Sequence, residues 1–142
     1  MNTLPPFAHE TMPLSNSLAN VFRHSSGYLR IEWHIVPMVS SEVRGLFGQI
    51  LRLLRDECLH CLFTERTTAP PLSTEDRHWM VWEWMPQAMR EAGLTHCAVV
   101  ESTEQVEARF LHSVELNGNA SKLHLRFFDS FAKGETWIRE MA

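Results

Sequence analysis

Two short apolar runs, Leu59-His60-Cys61-Leu62-Phe63 and Cys97-Ala98-Val99-Val100, flank a segment that reads as one helix from Thr74 to about Ala92. Strand, helix, strand in that order constrains the fold more than any other feature of the chain. Parallel neighbours in a sheet need a crossover long enough to hold a helix, and this spacing supplies one. Pro86 lies inside that helix and is expected to kink it, because it removes a backbone donor and crowds the preceding turn. Gly93 is placed to end it in a left-handed stop.

Upstream, Leu18 to His24 reads as a strand, and Ser25-Ser26-Gly27 as a turn. Leu29, Ile31, Trp33 and Ile35 then alternate with Arg30, Glu32 and His34. Period 2 with one polar face predicts a half-buried antiparallel strand, so a hairpin opens the fold. Val43, Leu46, Phe47, Ile50, Leu51 and Leu54 recur at helical spacing, with Ser40 or Ser41 as the cap. Gly45 and Gly48 on this helix each cost ~1 kcal/mol against alanine, which a close approach to the sheet would explain. A further helix is expected from Ser102 or Thr103 to Asn117-Gly118. Leu123, Leu125 and Phe127 form an edge strand with one wet side, and Asp129 or Ser130 caps a last helix.

The expected fold is therefore α/β: a mixed sheet with an N-terminal antiparallel hairpin, then parallel strands and crossover helices. Residues 1–17 carry Pro5, Pro6 and Pro13 and read as a tail without the pattern of an export signal; residues 18–142 read as one domain. An apolar fraction of 44% and a charged fraction of 21% are ordinary globular values. A net charge of -4, with both signs interspersed, gives no electrostatic basis for binding nucleic acid. Arg44, Arg52 and Arg55 fall on the solvated face of one helix. No apolar run approaches the ~20 residues of a membrane span. An odd count of three cysteines points to free thiols in a reducing cytoplasm.

Several residues could carry chemistry. The loop Glu65-Arg66-Thr67-Thr68 follows the C-terminal end of a central strand, where open α/β sheets bind ligands. Arg66 could hold an anion there, and Glu65 could serve as acid or base. Trp79 and Trp82, three apart, share a helical face from which Trp84 turns away. Apolar side chains run more than halfway round this helix, so Trp82 and Trp84 are candidates for a ligand cavity or an interface, a homodimer included. Cys58 and Cys61 make a C-x-x-C without the helix N-terminus that activates redox pairs, and read as buried, inert thiols. The histidines His34, His60, His78, His96, His112 and His124 lack metal-ligand spacing, although His60 and His96 start adjacent strands and could meet. No cofactor motif is present.

The order of signposts from Tyr28 to Ala142 resembles small bacterial SpoIIAA-like proteins, which are related in fold to STAS domains and loosely to the Sec14 fold. The signposts are Leu62-Phe63-Thr64-Glu65-Arg66, Ser73 through Trp79, Trp84-Met85-Pro86, Ala92-Gly93-Leu94, Phe127-Phe128-Asp129 and Trp137-Ile138. The resemblance implies a non-enzymatic cytoplasmic regulatory module that binds a protein partner or a small apolar or anionic ligand. Glu65 stands where members often carry aspartate, and Gly134 where alanine is usual. The Asp-Ser phosphoacceptor pattern is absent, and Thr67 and Thr68 occupy the corresponding loop. The competing expectation is a small-molecule enzyme built on Glu65 and Arg66.

Overall fold

A computed structural model of the chain describes residues 9–102 and 123–142. Six strands form one mixed sheet: β1 (Glu10–Ser15), β2 (Ala19–His24), β3 (Tyr28–Trp33), β4 (Cys61–Glu65), β5 (His96–Val100) and β6 (His124–Phe128). They lie side by side in chain order. β1, β2 and β3 pair antiparallel, and β3 to β6 pair parallel. The helices are α1 (Ser40–Asp56), α2 (Thr74–Trp79), α3 (Met85–Ala92) and α4 (Phe131–Met141). A π-helical turn, Met80–Trp84, joins α2 to α3. The helix expected between β5 and β6 falls outside the described residues.

The mixed α/β sheet agrees with the sequence reading, and the two apolar runs supply adjacent parallel strands, Cys61 opposite His96 and Glu65 opposite Val100. One core lies between the sheet and α1, α2 and α3, with Leu29, Ile31, Leu62 and Val99 facing Leu46, Ile50 and Ala88. A smaller core on the opposite face places Ile138 of α4 against Tyr28, Phe63, Ala98 and Val100. All six apolar positions expected for α1 are buried. Burying each such apolar side chain is worth roughly 1.5–3 kcal/mol, which outweighs the cost of the two glycines in the same helix.

Five expectations are corrected. Residues 10–15 belong to the sheet as edge strand β1, not to a tail. Pro13 is tolerated there because the β1–β2 register slips between Thr11 and Leu14, and an edge bulge needs no ladder donor from proline. β3 has no wet face: Arg30, only 3% exposed, forms a two-pronged ion pair with buried Glu10, at 2.9 Å (Nε) and 2.7 Å (Nη2). β3 also ends at Trp33, leaving Ile35 exposed. Neither serine caps α1: Val39 is its N-cap residue, and Ser40 donates instead to Asp76 Oδ1 at 2.6 Å. Gly45 and Gly48 make no close approach, since a Cβ on either would meet nothing within 4 Å. The glycine that needs its missing side chain is Gly134 of α4, where a Cβ would lie 2.9 Å from Val100 Cγ2 and 3.0 Å from Phe63 Cε1.

Pro86 does not kink its helix in the expected way. The turn before it widens, so that the Met85 amide bonds to the Met80 carbonyl, five residues back. Widening resets the phase of the tryptophans. Trp84 is buried, and Trp82 is left 54% exposed. Trp79 and Trp84, five apart across the wide turn, both pack edge-on against Phe47. Gly93 ends α3 with φ +72°, as expected.

Candidate functional site

The C-terminal ends of β3 to β6 and the segment from Arg66 to Met85 line a half-open cavity of about 300 Å³. The sheet contributes Trp33, Leu62, Thr64, Val99, Leu125 and Phe127. The opposite wall is Phe47 of α1 together with Met80, Val81, Trp84 and Met85 around the π turn. Ala69, Pro71 and Leu72 close one side. Charged groups enter at three points: Arg66 just past β4, Glu101 just past β5, and Arg77 on α2. An apolar pocket with a few convergent polar groups at the carboxyl ends of parallel strands is the usual form of a small-molecule site.

Local chemistry fixes these walls. The Trp33 indole Nε1–H donates to Thr64 Oγ1 at 2.8 Å, tying the ring to β4. The Trp84 indole Nε1–H donates to the Phe47 carbonyl at 2.7 Å, tying the π turn to α1. Arg66 donates from Nη2 to the Pro70 carbonyl at 2.7 Å, and its guanidinium stands 4.6 Å from the centre of the Trp33 ring. Its own amide bonds to the Val100 carbonyl at 2.8 Å, so the turn after β4 is anchored to β5. Glu101 is buried, and its amide donates to the Phe128 carbonyl at 3.0 Å. Glu101 makes a further interaction as well.

The start of α2 is set by Ser73, whose Oγ accepts from the Asp76 amide at 3.1 Å, as the capping pattern predicts. The Asp76 carboxylate is fully buried and turns to α1, accepting from Ser40 and from Arg44 Nε at 3.1 Å. Burial alone would raise its pKa, but the donors Ser40, Arg44 and Ser73 together hold it below the usual carboxylate value. α2 is thereby clamped to α1, and Arg77, the next residue, is fixed beside the cavity.

Of the six residues singled out by sequence, the cavity gathers two, Arg66 and Trp84. Glu65 turns back on its own loop, where the Thr67 amide donates to its Oε1 at 2.8 Å and the Thr67 hydroxyl bonds to the same oxygen. Thr67, Thr68 and Trp82 are exposed and lie outside the cavity wall. Trp33, Arg77 and Glu101 were not candidates by sequence. Trp33 read only as a core position, and Arg77 and Glu101 come to one cavity through the topology alone.

The thiols and histidines divide differently from expectation. Cys61 and Cys97 are buried, but Cys58 is exposed. Burial, with Cys61 nearby, pushes the Cys97 thiol up to about 12, so it lines the cavity as a neutral group. His96 meets His60 through the backbone, its amide donating to the His60 carbonyl at 3.3 Å, but its ring turns elsewhere. It stacks on His124 with ring centres 4.7 Å apart, while His60 Nδ1 pairs with the Gly93 carbonyl. Among the described residues no group of three or more His, Cys, Asp or Glu could hold a metal ion. No described helix is long and apolar enough to cross a membrane. Comparison with protein-family models, curated proteins and solved structures found no match for this chain.

Proposed function

We propose that this protein is a non-enzymatic binding module, of a STAS-like or SpoIIAA-like arrangement, that holds a small apolar ligand between its sheet and the α2–α3 segment. Regulation in the cytoplasm is the role that follows from such a module. The observation that carries this reading is the cavity of about 300 Å³, walled mainly by aromatic and aliphatic side chains and entered by few charges. The enzyme reading built on Glu65 and Arg66 draws less support, because Arg66 lines the cavity but Glu65 is engaged by Thr67 and stands apart from its wall.

A cavity-filling change tests the reading. Val99→Phe places a ring where the ligand would sit. In a thermal-shift screen of small apolar compounds, the wild-type protein is expected to show hits that Val99→Phe loses. Hits shared by a folded Val99→Phe variant would place binding elsewhere. A second reading, self-association through the tryptophan segment, rests on the exposed Trp82 ring. It predicts a dimer in sedimentation velocity that Trp82→Glu dissociates, and a monomeric wild-type protein would end it.

A further inference from the structure

We infer that the ligand is a small apolar monoanion, a two-ring aromatic carboxylate in size and type, whose acid group is held by Arg77. This rests on the cavity being the binding site. Three charged side chains reach the cavity, and they are not equivalent. The Arg66 guanidinium already donates to the Pro70 carbonyl and covers the Trp33 ring, and it has a further partner. Glu101 is buried and partnered. Arg77 is half-buried, and its side-chain hydrogen bond among the described residues is a long one, 3.3 Å to Thr74 Oγ1 on its own helix. No ion pair joins Arg77 to a carboxylate among the described residues, although ion pairs engage Arg23, Arg30, Arg44, Arg55 and Arg139.

An arginine held at the wall of an apolar cavity without a carboxylate of its own suits a ligand that brings one. The guanidinium fork matches a carboxylate with two parallel donors, and nearby apolar walls strengthen that bond by excluding water. The clamp of Asp76 on Ser40 and Arg44 fixes the helical turn that carries Arg77 at the cavity's edge, while its side chain is left to adjust to a ligand. Size follows from the volume. A cavity of about 300 Å³ lies at the small end of the range for small-molecule pockets, enough for a two-ring aromatic acid. Trp33, Trp84 and Phe127 supply the faces on which such rings pack.

Isothermal titration with 2-naphthylacetate and its neutral isostere 2-naphthylacetamide tests this on the full chain. The acid is expected to bind wild-type protein about tenfold more tightly than the amide, the worth of one charge-assisted hydrogen bond. Arg77→Met should abolish that preference and leave the affinity for the amide unchanged. Arg77→Lys, which keeps the charge and loses the fork, should retain part of it; this variant also serves if Arg77→Met proves unfolded by circular dichroism. Equal binding of acid and amide to wild-type protein would overturn the assignment of an anion while leaving the cavity as the site. A preference that survives in Arg77→Met would place the acid group elsewhere. Binding of neither probe would count against the cavity itself.

Discussion

Trp84 and Phe47 are joined twice: the indole Nε1–H of Trp84 donates to the Phe47 carbonyl at 2.7 Å, and the two rings pack edge-on with centres 5.0 Å apart. One pair of residues thus fixes the π turn to α1 and forms the back wall of the cavity. Trp84→Phe keeps most of the packing and removes the donor. It is expected to cost about 1–3 kcal/mol in urea unfolding, because a buried polar contact is lost. Trp82→Phe, at an exposed site, should fall within about 0.5 kcal/mol of wild type.

The glycines separate conformational cost from close packing. Gly134→Ala improves helix propensity, yet its methyl group would press on Val100 and Phe63, which have no room to give. Overpacking wins, and the variant is expected to lose about 1–3 kcal/mol. Gly45→Ala and Gly48→Ala meet open space. Each should gain up to ~1 kcal/mol by the same measurement.

Glu10 and Arg30 are both buried, and β1 is held to the sheet partly through them. Glu10→Gln removes the two-pronged partner of the buried guanidinium and leaves Glu32, 3.5 Å from its Nη1, as the counter-charge. A loss of about 3–5 kcal/mol is expected. The double variant Glu10→Met with Arg30→Met should recover much of it, since an apolar pair needs no desolvation of charge. A double-mutant cycle in urea measures the coupling, and additive losses would contradict it.

Cys58 has φ +54° and takes the position after α1 that glycine usually fills. The Leu59 amide bonds to the Leu54 carbonyl and the Cys58 amide to the Arg55 carbonyl, which is a Schellman ending. Cys58→Gly should stabilise the protein by about 1 kcal/mol. It should also remove the one thiol of the three that a disulfide reagent titrates in the folded protein, because Cys61 and Cys97 are buried and their thiols are raised in pKa.

Burial, and next the neighbouring His124, lower the pKa of His96 below its usual 6.5. The unfolded chain then binds that proton more readily than the folded one, so stability falls as pH drops below about 6.5. His24 is lowered too, chiefly by burial, and acts in the same direction. Asp76 has the opposite ionisation but the same sign: its folded value lies under the usual 3.8, so its contribution holds above that value and is lost as pH falls further. His96→Phe should flatten the loss just below pH ~6.5 and leave the more acidic limb, which Asp76→Asn removes. Unfolding midpoints across pH give both slopes.

Much of the fold is legible in the chain because its signals are periodic. The six buried positions of α1 and the paired runs of β4 and β5 declare themselves by spacing alone. β1 does not, since Pro13 and mixed polarity hide an edge strand that a bulge makes possible. Arg30 reads as solvent-facing because alternation cannot show that Glu10 waits two strands away. The exchange of roles between Trp82 and Trp84 depends on a widened turn, which Pro86 hints at without fixing its phase. Arg66 was visible as a site residue from its place after β4. Arg77 and Glu101 were not, because only the crossover brings α2 to the cavity that the end of β5 also lines.

Native mass spectrometry of the protein purified from its own source tests the central claim, that the cavity holds a small molecule. The account predicts a mass adduct that dissociates on activation and is absent from folded Val99→Phe purified in the same way. A bare wild-type mass, or an adduct that Val99→Phe retains, would contradict it.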